Sequence, residues 1–173
     1  MWTLDALRWQ VCQGEGRDAD PSAGIIAAQS VKAADAVGRE TRGYDAGKMV
    51  AGRKRFIVTD TPGLLITVTG CAASVQDRDG TKGTLLGMYL TLPRCRFVFA
   101  DAGFAGCLVG WACGTLRTTL SIVRNPSRPE GATVLPRRRA VAGIADRTPR
   151  LARHYEREPV TSEAMIRWTP LAL

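Results

Sequence analysis

Phe97-Val98-Phe99-Ala100-Asp101-Ala102-Gly103-Phe104-Ala105-Gly106 is the stretch on which the fold turns. A compact apolar run, residues 97–100, reads as a buried strand, and the acid that ends it opens a glycine-punctuated turn. Residues 105–116 then read as a helix and residues 119–124 as the next strand. Ligand sites in open α/β sheets gather where strands end and helices begin, which makes Asp101 the most informative acid. Its carboxylate either holds a divalent cation or caps the helix that follows.

Upstream, residues 53–61 and 64–72 are β-rich runs separated by Thr61-Pro62-Gly63. Pro presets one turn position and Gly relieves the next, so the pair reads as a hairpin with Asp60 as a turn residue. Residues 25–31 read as a strand, and residues 33–52 are broken by Gly38, Gly43 and Gly47. Asp77-Arg78-Asp79 precedes a helix at residues 81–90, where both acids read as caps. Trp2, Leu4, Leu7, Trp9 and Val11 suggest a short amphipathic helix, and residues 14–21 a linker. Downstream, residues 133–135 read as a short strand. The helix expected from Ala140 is interrupted by Gly143 and Pro149, and Thr161-Ser162-Glu163 caps a last helix that stops at Pro170. Helices alternating with strands after a leading hairpin predict a mixed α/β sheet with flanking helices.

The chain has 173 residues, 45% hydrophobic and 23% charged, which fits one globular domain and excludes wholesale disorder or a coiled coil. Its net charge is +8, and twenty of its 24 cations are arginine. Arginine suits bidentate phosphate contacts, so a polyanionic partner and a simple compositional bias are both open at this point. Five cysteines, at 12, 71, 95, 107 and 113, include no Cys-x-x-Cys pair. The expectation is that Cys107 and Cys113 pack in the core and that His154, the single histidine, lies at the surface. One imidazole excludes a histidine-based metal centre and a Ser-His-Asp triad. No apolar run approaches the ~20 residues of a membrane span, and the N-terminus lacks a secretory pattern, so an intracellular location without a membrane partner is expected.

Several segments, in order, resemble bacterial insertion-sequence transposases of the DDE class. Ile25-Ile26-Ala27-Ala28-Gln29-Ser30-Val31-Lys32 is similar to their first core strand. Gly43-Tyr44-Asp45-Ala46-Gly47-Lys48 with Gly52-Arg53-Lys54-Arg55 resembles their basic stretch, and Val58-Thr59-Asp60-Thr61-Pro62-Gly63-Leu64-Leu65 their hairpin. Ser74-Val75-Gln76-Asp77-Arg78-Asp79-Gly80 resembles the turn that follows, and residues 99–106 the second acidic strand. Leu135-Pro136-Arg137-Arg138, then Tyr155-Glu156-Arg157 and residues 161–168, resemble the C-terminal block.

The resemblance implies an RNase H-like fold over residues 23–173, preceded by a residual helix and linker at residues 1–22. It implies three carboxylates around two Mg²⁺ or Mn²⁺ ions, one activating the attacking oxygen and the other stabilising the leaving oxygen. Of those acids only the second is present, as Asp101; the first falls at Ala27 and the third at or near Ala142. One carboxylate supplies too little charge for two hard cations, so a degenerate, C-terminally truncated copy with impaired catalysis is expected. Arg53, Lys54 and Arg55, and Arg137, Arg138 and Arg139, are the expected phosphate-backbone contacts to DNA at the element's ends. The alternatives are a DNA-binding relic that inhibits intact transposase by association, and a recruited RNase H-like nuclease. A cytoplasmic, nucleoid-associated location follows from DNA binding.

Overall fold

A computed structural model describes residues 2–123 and 149–168. Helix α1 (Trp2–Gly14) leads into β1 (Ala23–Lys32), the short β2 (Gly43–Asp45), and the long β3 (Val50–Asp60) and β4 (Leu65–Ala72). Then follow α2 (Asp77–Thr91), β5 (Phe97–Ala100), α3 (Cys107–Leu116), β6 (Thr119–Ile122) and α4 (Pro159–Trp168). The sheet order is β2-β3-β1-β5-β6, with β4 also paired to β3. β3 runs antiparallel to β1, β2 and β4, whereas β1, β5 and β6 are parallel. The mixed sheet with flanking helices is therefore the architecture expected from the sequence.

The hairpin forms for the reason its turn chemistry suggests. Asp60 Oδ1 accepts from the Gly63 and Leu64 amides at 2.8 and 2.7 Å, and Gly63 adopts φ 100°, a backbone state that side chains disfavour. One sheet face packs Ile26, Phe56, Val58 and Val98 against Leu85 and Met88 of α2 and Leu108, Ala112 and Leu116 of α3. The other packs Ile57, Leu65 and Val68 against Leu151 and against Ile166 of α4. Glu163 of α4 fixes the register of that layer, its Oε1 accepting from the Gly70 amide at 2.7 Å.

Five expectations are corrected. Thr161, Ser162 and Glu163 lie within α4, which begins at Pro159, and do not cap it. α2 begins at Asp77, so Asp77 and Asp79 lie in its first turn; Gln76 is the N-cap residue, and its side chain makes no capping bond. α3 buries the line Leu108, Ala112 and Leu116, which turns Cys107 and Cys113 outward. α1 buries Arg8 and Cys12 and leaves Trp9 and Val11 exposed, so these two do not form the buried apolar face read from its sequence. His154 is 0% exposed. The strand expected at 133–135 and the start of the helix after 140, with Arg137, Arg138, Arg139 and Ala142, lie outside the described residues. No helix among the described residues is long and apolar enough to cross a membrane.

Candidate functional site

Asp101 stands where β5 ends. Its backbone is extended and its Oδ1 accepts from the Gly103 amide at 2.9 Å, capping the 3-10 turn Ala102–Phe104. The capping role foreseen for this acid is thus realised one turn before α3. The parallel register pairs Ile25 with Phe99, and extending it by two residues sets Ala27 level with Asp101. Ala27 is half-buried and packs against the cluster of Ile57, Leu65, Val68, Leu151 and Ile166. A methyl group stands there, with no oxygen to offer a cation.

A second carboxylate reaches the same spot from the start of α2. A methyl group placed on Gly103 would lie 3.1 Å from Asp101 Oδ1 and 3.2 Å from Asp77 Oδ2. Gly103 therefore lets two acids approach one backbone position. The charge of Asp77 is already engaged: Lys54 Nζ lies 2.8 Å from Asp77 Oδ1, 3.4 Å from Asp45 Oδ2, and donates to the Val75 carbonyl at 2.8 Å. Burial opposes the charge on Lys54, but Asp77 and Asp45 outweigh it and hold its pKa above the usual value. Asp45 also accepts from Ser30 Oγ at 2.5 Å and from the Lys48 amide at 3.1 Å. The Ser30 bond is the main cause of its lowered pKa. Lys48 in turn sends its ammonium to the Ala28 carbonyl, 3.0 Å away. The result is one connected edge running Lys48, Asp45, Lys54, Asp77, Gly103, Asp101.

Arg53, Lys54 and Arg55, expected as phosphate contacts, are 0, 5 and 1% exposed and turn their side chains into the interior. Arg53 donates from Nε to the Thr41 carbonyl at 3.2 Å and from Nη1 to the Glu156 carbonyl at 2.9 Å. Its Nη2 donates to Thr41 Oγ1 and to the Arg157 carbonyl. Arg55 donates from Nε to His154 Nε2 at 2.9 Å and from Nη1 to the Leu151 carbonyl at 2.8 Å. The two arginines tie residues 151–157 to the middle of the sheet. Burial lowers the Arg55 pKa to about 10, and burial beside both arginines lowers that of His154 to about 3. His154 is therefore a neutral acceptor in the interior, not a surface imidazole.

Sequence reasoning missed Ser30, Asp45 and Lys48 as parts of this edge. Their only signal was membership of the family-like segments at 25–32 and 43–48, since no spacing rule joins residues on different segments. Among the described residues, no group of three His, Cys, Asp or Glu side chains is placed to hold a metal ion.

No curated protein matches the chain significantly. Among solved structures, the chain is similar to the piggyBac transposase synaptic complex with hairpin DNA at 17% identity and a TM-score of 0.39. That match covers 69% of this chain and 26% of the other. It is similar to the Mos1 strand transfer complex at 12% identity and a TM-score of 0.47, covering 98% of this chain and 53% of the other. The chain thus spans about a quarter and about half of those two proteins. The family model described as the transposase DDE domain matches residues 18–168, and the chain belongs to that family.

Proposed function

We propose that this chain is an insertion-sequence transposase domain, spanning residues 23–173, that binds DNA and has lost most or all of its own strand cleavage and transfer. The observation that carries the reading is the parallel register of β1 and β5, which pairs Ile25 with Phe99 and, continued two residues further, brings the methyl group of Ala27 level with Asp101. The family's chemistry needs several carboxylate oxygens around two divalent ions. The donors present do not fit that requirement. Asp101 is occupied in part by the Gly103 amide, Asp77 is ion-paired with the Lys54 ammonium that it shares with Asp45, and Ala27 and Ala142 carry no side-chain ligand atom. These residues support no cleavage step through Mg²⁺ or Mn²⁺.

A net charge of +8 supports a DNA partner, and a chain that occupies element ends without cutting them would act against an intact transposase. The test is incubation of the purified chain with duplexes carrying the sequences that flank its gene, with and without Mn²⁺. A salt-sensitive gel shift without nicking is expected. Nicking that disappears in Asp101→Asn overturns the loss of activity, and the absence of any shift overturns DNA binding.

A further inference from the structure

With Arg53, Lys54 and Arg55 committed to the interior, the cations available to a polyanion at this edge are different ones. Lys48 and Arg78 are both exposed, and neither forms an ion pair among the described residues. Lys48 is anchored through its Nζ to the Ala28 carbonyl of β1, the strand that pairs in parallel with β5. Arg78 lines an open cleft with Gln76, Asp77 and Gly103, and the Gly103 amide is the one bonded to Asp101.

Two of the three acids on this edge are turned inward. Asp45 and Asp77 share the Lys54 ammonium, and their side chains are only 11 and 22% exposed. Solvent therefore meets two cations without ion-pair partners among the described residues, over two largely buried carboxylates that share one ammonium. A side chain at position 103 would crowd both Asp101 and Asp77, so Gly103 keeps the cleft beside Arg78 open.

We propose that Lys48 and Arg78 are the phosphate-contacting residues of this edge and carry the backbone of duplex DNA past Asp101. The inference rests on the DNA-binding reading above and deepens it by naming the surface. Both are positioning contacts, which carry affinity without sequence preference.

The test measures binding of a duplex DNA oligonucleotide across a salt series for the wild type, Lys48→Gln, Arg78→Gln and the double variant. Arg117→Gln, exposed at the far end of α3, serves as the control. Removing one cation from the phosphate backbone should flatten the slope of log K against log salt by about 0.9, and removing both by about twice that. Glutamine at 48 keeps a donor for the Ala28 carbonyl, so the change reads charge and not local structure. Unchanged slopes in both single variants, with the wild type bound normally, overturn this surface while leaving DNA binding intact. A wild type that does not bind overturns both. Slopes that flatten equally in Arg117→Gln show diffuse attraction and overturn the assignment to this edge.

Discussion

Replacing Arg55 by alanine should destabilise the fold and leave the salt dependence of DNA binding unchanged. The side chain is 1% exposed, and it donates to His154 Nε2 and to the Leu151 carbonyl. Hydrogen bonds to a charged group contribute about 1.5–3 kcal/mol each, and truncation leaves two buried acceptors without their donor. Against this, alanine removes a cation whose desolvation is costly, the cause of its lowered pKa. The balance is a loss of about 2–4 kcal/mol, well outside the ±0.5 kcal/mol expected of an exposed arginine such as Arg117. Urea unfolding followed by circular dichroism reads this directly as a lower midpoint at constant slope. A loss below about 0.5 kcal/mol, or a flattened salt slope in folded Arg55→Ala, refutes the interior clamp and returns Arg55 to the DNA-binding surface.

Three further outcomes rest on the same geometry. His154 is held near pKa 3 in the fold but titrates at about 6.5 when unfolded, so the unfolded chain binds more protons between those values. Stability should fall as pH drops through that window, by up to about 1.4 kcal/mol per unit, and His154→Gln should flatten the dependence in urea titrations at several pH values. Burial raises the Asp60 pKa, and its Oδ2 has no partner while Oδ1 serves the turn. Its contribution is present below the ordinary carboxylate range and lost as pH rises, so Asp60→Asn should be neutral or stabilising at pH 7. That advantage should shrink toward pH 3, and a large loss at pH 7 would mean that the carboxylate charge has a partner. Finally, Gly63→Ala should cost about 1–2 kcal/mol because the turn holds φ at 100°, as thermal unfolding would register.

What the sequence revealed and what it hid divide by range. The β3–β4 hairpin was legible because Thr61-Pro62-Gly63 and Asp60 settle the turn within five residues. β5 and α3 were legible because an apolar run, an acid and glycines follow one another along the chain. Arg53-Lys54-Arg55 reads as a surface patch in one dimension, since its partners at Thr41, Asp77, Leu151, His154 and Glu156 lie on other segments. His154 fails for the same reason: only the pairing of residues 151–157 with the sheet buries it. The outward placement of Cys107 and Cys113 was within reach, because the line 108, 112, 116 already phases α3. At the candidate site, Asp101 at the end of its apolar strand was visible in the sequence, whereas the Lys54 link between Asp45 and Asp77 required two strands and a helix to meet.

DNA binding without strand chemistry is tested most directly by strand transfer from pre-cleaved element ends in Mn²⁺, a substrate that spares the protein the first cut. Bound DNA with no joined product is the predicted result, and Ala27→Asp combined with Ala142→Glu should not restore joining. Joined product from the unaltered chain, abolished by Asp101→Asn, would contradict it.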